Sequence, residues 1–211
     1  PVFVAQQLDC VFQDIRPDAV KIGMVSNADI IRAIADKLRE YRAEHIVVDP
    51  VMVATSGSGL MRDSALAALT EELFPLAEVI TPNLPEAERL CGFAIEDEAA
   101  MLRAAEAIGG TLPGAVLIKG GHRADDADDL LWLRGEAHWF RARRVDNPNN
   151  HGSGCTLSSA IASFLALGCG LSQAVEKAKA YITACMEAGL DLGSGSGPLK
   201  HNYAIKEGGN V

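Results

Sequence analysis

The sequence predicts an α/β fold in three layers, in which helices cover both faces of a mostly parallel sheet that also carries a small antiparallel hairpin. Two observations predict it. Short apolar runs rich in Val and Ile alternate with longer segments of helical periodicity, and this pattern changes in the second half of the chain. The 211 residues, 48% of them hydrophobic, suit one domain with a sizeable core, which we expect over residues 1–211.

Four apolar runs predict the parallel strands, because each is short and helical segments lie between them. These strands are expected at Ala19–Val25, His45–Met52, Glu78–Pro82 and Ala115–Gly120. Ser26 or Asn27 is suited to cap one of the intervening helices, and Pro85 suits the first turn of another. The helices expected here are Val2–Ile15, Ile30–Tyr41, Ser64–Phe74, Pro85–Leu90 and Asp97–Ile108, with a Gly/Ser loop at Thr55–Gly59.

The second half of the chain begins with two β-rich runs close together. Asp129–Leu133 and Ala137–Val145 flank Arg134-Gly135-Glu136, which predicts an antiparallel hairpin. Two helices are expected after it, at Cys155–Leu167 and Ser172–Ala188, followed by a glycine-rich loop at Gly189–Gly197 and a frayed tail at Gly208–Val211.

Composition excludes several classes of function. The formal net charge of -9 gives no electrostatic reason to bind nucleic acid or an anionic membrane, and no apolar run approaches the length of a membrane span. The five scattered cysteines contain no CxxC pair, so neither a disulfide framework nor a zinc site is expected, and a reducing cytoplasm fits best. Because helical periodicity begins at the first residues, we expect a further segment upstream.

The stretch Gly152-Ser153-Gly154-Cys155-Thr156 opens a long apolar helix and carries the strongest functional signal. Free N–H groups and the positive end of the helix dipole converge at such a helix start, which makes it a site for anions. A cysteine held in an anion cradle suggests phosphoryl transfer, whereas a small structural cysteine at a tight helix start is the alternative. The spacing matches neither a P-loop nor a GxGxxG dinucleotide motif.

Other candidate residues lie where the predicted strands end, which is where ligands bind in such sheets. Asp49 is suited to hold Mg²⁺-bound water, to orient a substrate, or to end its strand in a turn. Asn83 and Glu86 suit water-mediated Mg²⁺ binding or simple helix capping. Lys119 ends an apolar strand, where an unpaired charge is costly, so it is expected to neutralise a transferring phosphate.

Three further residues are weaker candidates for a substrate site. Met24 and Val51 close two strands and either pack in the core or line an apolar wall for a flat ring. His151 adjoins the glycine turn and either contacts ligand or caps the loop. The other histidines, among them His122, show no metal-like spacing.

Five motifs follow one another in order along the chain: Lys21-Ile22-Gly23-Met24, Val48–Ala54 with Ser56-Gly57, Thr81–Glu88, Lys119-Gly120-Gly121-His122 and Asn150–Ser158. Gly195-Ser196-Gly197-Pro198 and His201 extend the series towards the C-terminus. Taken together, these stretches resemble the hydroxymethylpyrimidine/phosphomethylpyrimidine kinases of thiamine biosynthesis, which have a ribokinase-like fold.

The resemblance implies phosphorylation of 4-amino-5-hydroxymethyl-2-methylpyrimidine, and then of its monophosphate, by a homodimer that uses ATP and Mg²⁺. It implies that Cys155 deprotonates or orients the attacking hydroxyl. The N–H groups from Gly152 to Cys155 are then expected to hold the γ-phosphoryl oxygens, with Lys119 neutralising the phosphate. The remaining roles implied are nucleotide contacts for Ser153, Thr156 and Asn83, water-mediated Mg²⁺ binding for Asn83, Glu86 and Asp49, and pyrimidine contacts for Met24, Val51 and His151.

The chain also departs from the family pattern. The family's N-terminal strand and glycine-rich loop are absent from it, Thr55 stands where lysine is usual, Ser58 where aspartate is frequent, and Asn149-Asn150 where Asn-Thr is usual. Three alternatives therefore remain open: a pyridoxal kinase of the same fold, a pyrimidine-binding regulator without activity, and a hydrolase with Cys155 as nucleophile.

Overall fold

A computed structural model describes residues 1–52, 61–121, 127–195 and 197–205. Within these ranges six strands form one sheet whose order follows the chain. The strands are β1 Val20–Ile22, β2 Ile46–Val48, β3 Val79–Ile80, β4 Ala115–Ile118, β5 Asp129–Leu133 and β6 Glu136–Phe140. The predicted loop Thr55–Gly59, the motif residues His122 and Ser196, and the predicted tail Gly208–Val211 lie outside the described residues.

The direction of the strands agrees with the prediction. The first four strands pair in parallel, and β5 and β6 pair antiparallel with their neighbours. The two-residue connection Arg134-Gly135 has φ values of 52° and 87°, the left-handed backbone that a tight hairpin requires. Glu136 was expected in the turn but pairs with Leu133, so the hairpin is tighter than predicted.

The helices form a layer on each face of the sheet. They are α1 Val2–Asp14, α2 Ala28–Glu40, α3 Asp63–Ala68, α4 Leu84–Cys91, α5 Glu98–Gly109, α6 Ser153–Ala166 and α7 Leu171–Glu187. Successive strand residues point to opposite faces: Ile46 and Val48 join the core beneath α1 to α5, whereas Val47 joins the core beneath α6 and α7. This confirms the three-layer α/β/α fold.

Helix boundaries follow local capping. Of the two candidate caps for α2, Asn27 is the one that accepts the N–H groups of Asp29 and Ile30. The helix predicted at Ser64–Phe74 does not stay α-helical: after α3 the chain makes one π turn, Leu69–Leu73, and one 3-10 turn, Phe74–Leu76. The hydroxyl of Thr70 bonds the carbonyls of Leu66 and Ala67, which loosens this segment.

The parallel strands are shorter than their apolar runs because the last residues of each run leave the ladder. Asp49, Thr81 and Lys119 follow β2, β3 and β4 directly. Each still donates its N–H to the neighbouring strand or to the segment that follows it: Asp49 to Ile22, Thr81 to Val48, and Lys119 to Pro82. The backbone of these three polar residues is therefore still bonded to the sheet edge. None of the helices in the described ranges is long and apolar enough to cross a membrane.

Candidate active site

Asp49 is the centre of a cluster at the carboxyl edge of the sheet. This residue is 1% exposed. One carboxylate oxygen accepts hydrogen bonds from Lys119 Nζ at 2.7 Å and from the Thr81 hydroxyl at 3.2 Å. The other accepts the Ser158 hydroxyl at 3.2 Å and lies 4.0 Å from Lys21 Nζ. A buried carboxylate needs such donors, so the geometry shows Asp49 first as an anchor for Lys119.

Lys119 links Asp49 to the start of α6. Its ammonium lies close to Gly154: a β-carbon built on that glycine would be 3.2 Å from Lys119 Nζ. The glycine therefore leaves the room that the ammonium occupies. The lysine side chain is 12% exposed, so a positive charge is held with little freedom beside the first turn of a helix.

The first turn of α6 leaves backbone donors available. Gly152 is the N-cap, with φ of 82°, a backbone conformation that any residue with a β-carbon would adopt only under strain. In the described part of the chain no side chain caps this helix. Ser153 and Thr156 donate their N–H groups to the carbonyls of Asn150 and Gly152, whereas the N–H groups of Gly154 and Cys155 meet no backbone carbonyl among the described residues. These two donors lie beside the ammonium of Lys119, an arrangement that suits an anion, and the anion site itself stays a prediction.

Cys155 is a free, exposed thiol at the same turn. Together with Thr156 and Ser159 it lines a groove of about 450 Å³ that Tyr181 of α7 and His201 close on the other side. The thiol is thus open to a molecule bound in the groove, on the same helix turn as the two backbone donors. This arrangement differs from that of a buried structural cysteine, which was the alternative interpretation.

Asn83 and Glu86 form the capping box of α4. The Asn83 side chain accepts the Glu86 N–H at 2.9 Å, and the Glu86 carboxylate accepts the Asn83 N–H at 2.8 Å. Glu86 is 4% exposed. Burial raises the pKa of Glu86, while the charge of Lys119 opposes that rise and the charge of Asp49 adds to it. Glu86 of the capping box therefore interacts electrostatically with Lys119 and Asp49.

The three weaker candidates differ in exposure. Met24 lies just beyond β1 and is 56% exposed, so it is not a core residue. Val51 is partly buried and donates its N–H to the Asp49 carbonyl. His151 is exposed in the turn that precedes α6. Contact of these three residues with a substrate stays a prediction.

Sequence reasoning missed three residues of the cluster: Lys21, Thr81 and Ser158. The sequence held a signal for Ser158, which lies four residues after Gly154 in an apolar helical run. In the structure Ser158 is fully buried among apolar neighbours. Lys21 sits in a strand, and Gly23 gives it room, since a β-carbon there would lie 2.7 Å from Lys21 Nζ. Thr81 had no signal apart from its place at a strand end.

Comparison with known proteins agrees with this geometry. The family model described as phosphomethylpyrimidine kinase matches residues 1–200. A hydroxymethylpyrimidine/phosphomethylpyrimidine kinase of Rhizobium meliloti is 52% identical over 202 residues, which cover 94% of this chain and 76% of the relative. The thiamine biosynthesis bifunctional protein ThiED of Geobacter sulfurreducens is 49% identical over 208 residues; the match covers 98% of this chain but only 42% of that longer protein.

A solved structure supports the same fold. The pyridoxal kinase of Staphylococcus aureus in complex with AMP-PCP and pyridoxal superposes with a TM-score of 0.86 at 31% identity, over 98% of this chain and 76% of that one. The ribokinase-like resemblance is thus confirmed by sequence and structure alike. The chain belongs to the phosphomethylpyrimidine kinase family.

Proposed function

We propose that the protein transfers the γ-phosphoryl group of ATP to the hydroxymethyl group of 4-amino-5-hydroxymethyl-2-methylpyrimidine, and then a second one to the monophosphate, giving the diphosphate used for thiamine. The observation that carries the proposal is the ammonium of Lys119, which buried Asp49 holds against the uncapped first turn of α6. The names of the relatives identify the substrate class.

The cluster supplies what phosphoryl transfer needs, which is positioning and stabilisation of negative charge. The N–H groups of Gly154 and Cys155 hold the oxygens of the γ-phosphoryl group, and Lys119 neutralises the charge that develops on them. Because Asp49 fixes the lysine in advance and is itself held by Thr81 and Ser158, little reorganisation is needed when the nucleotide arrives.

Cys155 accepts the proton of the attacking hydroxyl. The substrate oxygen forms a bond to the γ-phosphorus, the bond from that phosphorus to the β–γ bridging oxygen breaks, and ADP leaves with the bond electrons. The proton passes to Cys155 Sγ, which accepts it as the thiolate and becomes a thiol. The open position of the thiol at the cradle supports this role.

The carboxylates present fit Mg²⁺ held through water. Asp49 and Glu86 offer hard oxygen ligands beside the phosphate site, but the described residues contain no group of three or more such side chains that would hold the ion directly. We therefore assign the ion mainly to the nucleotide phosphates, with Glu86, Asp49 and Asn83 contacting its waters. When bound, it neutralises phosphate charge.

The nucleotide and the ring occupy opposite sides of the cradle. Use of ATP is supported by the AMP-PCP complex of the Staphylococcus aureus structure. We assign nucleotide contacts to Ser153 and Thr156 at the helix start, and the pyrimidine to an apolar wall formed by Met24 and Val51, with His151 at its edge. Exposure of Met24, a large apolar side chain, supports that wall.

We also propose that the protein works in the cytoplasm as a homodimer. All five cysteines are free, as a reducing compartment requires. The exposed apolar side chains of Phe3 in α1 and Ile15 directly after it, 72% and 76% accessible, support an interface. Light scattering of the full-length protein is expected to give twice the monomer mass.

A second candidate is phosphorylation of pyridoxal, which the likeness to the Staphylococcus aureus enzyme favours. ADP release by the full-length protein with Mg-ATP separates the two. We expect turnover with hydroxymethylpyrimidine and with its monophosphate, and a kcat/KM for pyridoxal at least about tenfold lower, because a pocket built around one ring's polar groups discriminates against another. Turnover of pyridoxal alone assigns the protein to the vitamin B6 branch. No turnover with any acceptor favours a binding protein.

The buried carboxylate of Glu86 yields a prediction about pH. Its pKa is raised above the ordinary value of 4.5, so its ionised form is disfavoured in the folded state. The stability contributed by this group is complete below that value and is lost as the pH rises through the higher folded-state pKa. Glu86→Gln removes this loss, so the melting temperature of the variant relative to the wild type should increase from pH 4 towards neutral pH.

Differential scanning fluorimetry of both proteins across that range measures the difference, with exposed Glu71→Gln as the matched control. In the same variant the Mg²⁺ concentration needed for half-maximal activity should rise severalfold. A difference in melting temperature that does not change with pH would show that Glu86 is ionised at no cost.

A further inference from the structure

A second buried ion pair lies behind the chain segment that carries Lys119. Asp129, the first residue of β5, is 5% exposed. Lys179 of α7 places its ammonium 2.6 Å from one Asp129 oxygen, and the side chains are 7% and 12% exposed. Neither residue belongs to the cluster around Asp49 described above. The pair ties together the hairpin and the helix layer on the far face of the sheet.

The other oxygen of Asp129 accepts the N–H of Gly120 at 2.9 Å. That N–H belongs to the peptide bond between Lys119 and Gly120, so the carboxylate grips the backbone directly after the lysine. Lys179 also donates to the carbonyl of Ala127, which precedes β5 by two residues. Two points of the chain that lie seven residues apart are therefore fixed by one pair of charges.

Gly120 allows this close approach. A β-carbon on it would lie 1.9 Å from the backbone oxygen of Asp128, so no side chain fits at this position. The backbone after Lys119 is thus pressed against the start of β5, and the bond to Asp129 fixes its orientation. On the other side, Lys119 donates its own N–H to Pro82. The lysine is anchored through its backbone on both sides.

A buried ion pair is weak evidence for stability, because its desolvation cost can equal the attraction. Replacing such a pair with well-packed apolar residues often leaves the stability of the protein unchanged or raises it. This pair also accepts the hydrogen bond from the Gly120 N–H, which an apolar pair cannot do, so its role is to hold that peptide. Lys119 also lies close enough to act electrostatically on Asp129.

We propose that Asp129 and Lys179 are positioning residues for phosphoryl transfer: Lys179 orients Asp129, and Asp129 clamps the Lys119–Gly120 peptide so that the Lys119 ammonium stays between Asp49 and Gly154. The inference rests on the proposed function, because it concerns the cation that meets the phosphate. Neither residue contacts the substrate.

Two paired variants of the full-length protein isolate the clamp. Asp129→Leu/Lys179→Met removes both charges and the acceptor for Gly120. Asp129→Asn/Lys179→Met also removes both charges but keeps an oxygen for that N–H. We expect kcat to fall about tenfold to a hundredfold in the first, since a small displacement of a catalytic group has effects of that size. The kcat of the second variant should stay within about threefold of the wild type, because the asparagine oxygen still holds the Gly120 N–H and Lys119 is not displaced.

Melting temperature and the KM for the pyrimidine serve as further readouts. A merely structural role would lower the melting temperature of both variants alike and would leave kcat of the folded fraction unchanged. Asp9→Leu/Lys37→Met is the matched control, since this pair joins α1 and α2 at 2.7 Å, remote from the cluster, and should leave kcat unchanged. Equal kcat in the wild type and the leucine variant overturns the inference.

Two further arms keep the test decisive. If the leucine variant does not fold, Asp129→Glu keeps the charge and shifts the oxygen by one methylene; a lower kcat supports the clamp, and an unchanged one overturns it. If the wild type shows no turnover, the proposed function fails, and calorimetry with AMP-PCP then tests the clamp alone. Weaker binding in the leucine variant than in the asparagine variant supports it, and equal binding overturns it.

Discussion

Replacing Cys155 with alanine should lower kcat about a thousandfold, because the alanine cannot accept the proton of the attacking hydroxyl and a positioned base contributes factors of that order. Affinity for the nucleotide should stay within severalfold of the wild type. The backbone N–H groups of the turn and the ammonium of Lys119 do not depend on the thiol. ADP release measures kcat, and calorimetry with AMP-PCP measures the affinity.

The fall in kcat should not come from unfolding, since Cys155 is exposed and a substitution there leaves the core intact. Cys10→Ala is the matched control, an exposed thiol on α1 that is expected to leave turnover unchanged. Cys155→Asp should retain more activity than the alanine variant, because a carboxylate is also able to accept the proton. Turnover of Cys155→Ala equal to that of the wild type would exclude the thiol as the base.

Lys119→Ala should reduce kcat about a hundredfold to a thousandfold, the effect typical of removing one group that stabilises transition-state charge. The same change leaves Asp49 buried without its 2.7 Å partner. Breaking a buried pair in this way costs about 3 kcal/mol of stability. The hydroxyls of Thr81 and Ser158 still donate to Asp49, so we expect the variant to fold with a lowered melting temperature.

Asp49→Asn/Lys119→Ala separates the two effects. It removes the unpaired charge, so stability in urea unfolding should recover, whereas kcat should remain low because no cation faces Gly154. Loss of the folded state in the single variant, with full activity in the double variant, would show that Lys119 is structural and would contradict its role in catalysis.

The elements themselves were predictable because they depend on residues that are close together in the chain. Apolar spacing placed α5, α6 and α7 within two residues of their observed bounds. The capping box of Asn83 and Glu86 was visible as a pattern of residues three apart. Strand ends were less predictable, since the apolar runs continue past the point where neighbouring strands stop pairing.

What the sequence alone determined was the α/β alternation, the hairpin and the glycine turn that opens α6, because each depends on local backbone conformation and periodicity. Only the tertiary structure decided how Asp49 is used. Its partners Lys119 and Ser158 lie 70 and 109 residues away, and strand order brings them together. The clamp of Asp129 on Gly120 likewise joins separate elements through packing. Such contacts depend on the register and twist of the whole sheet, which no local pattern encodes.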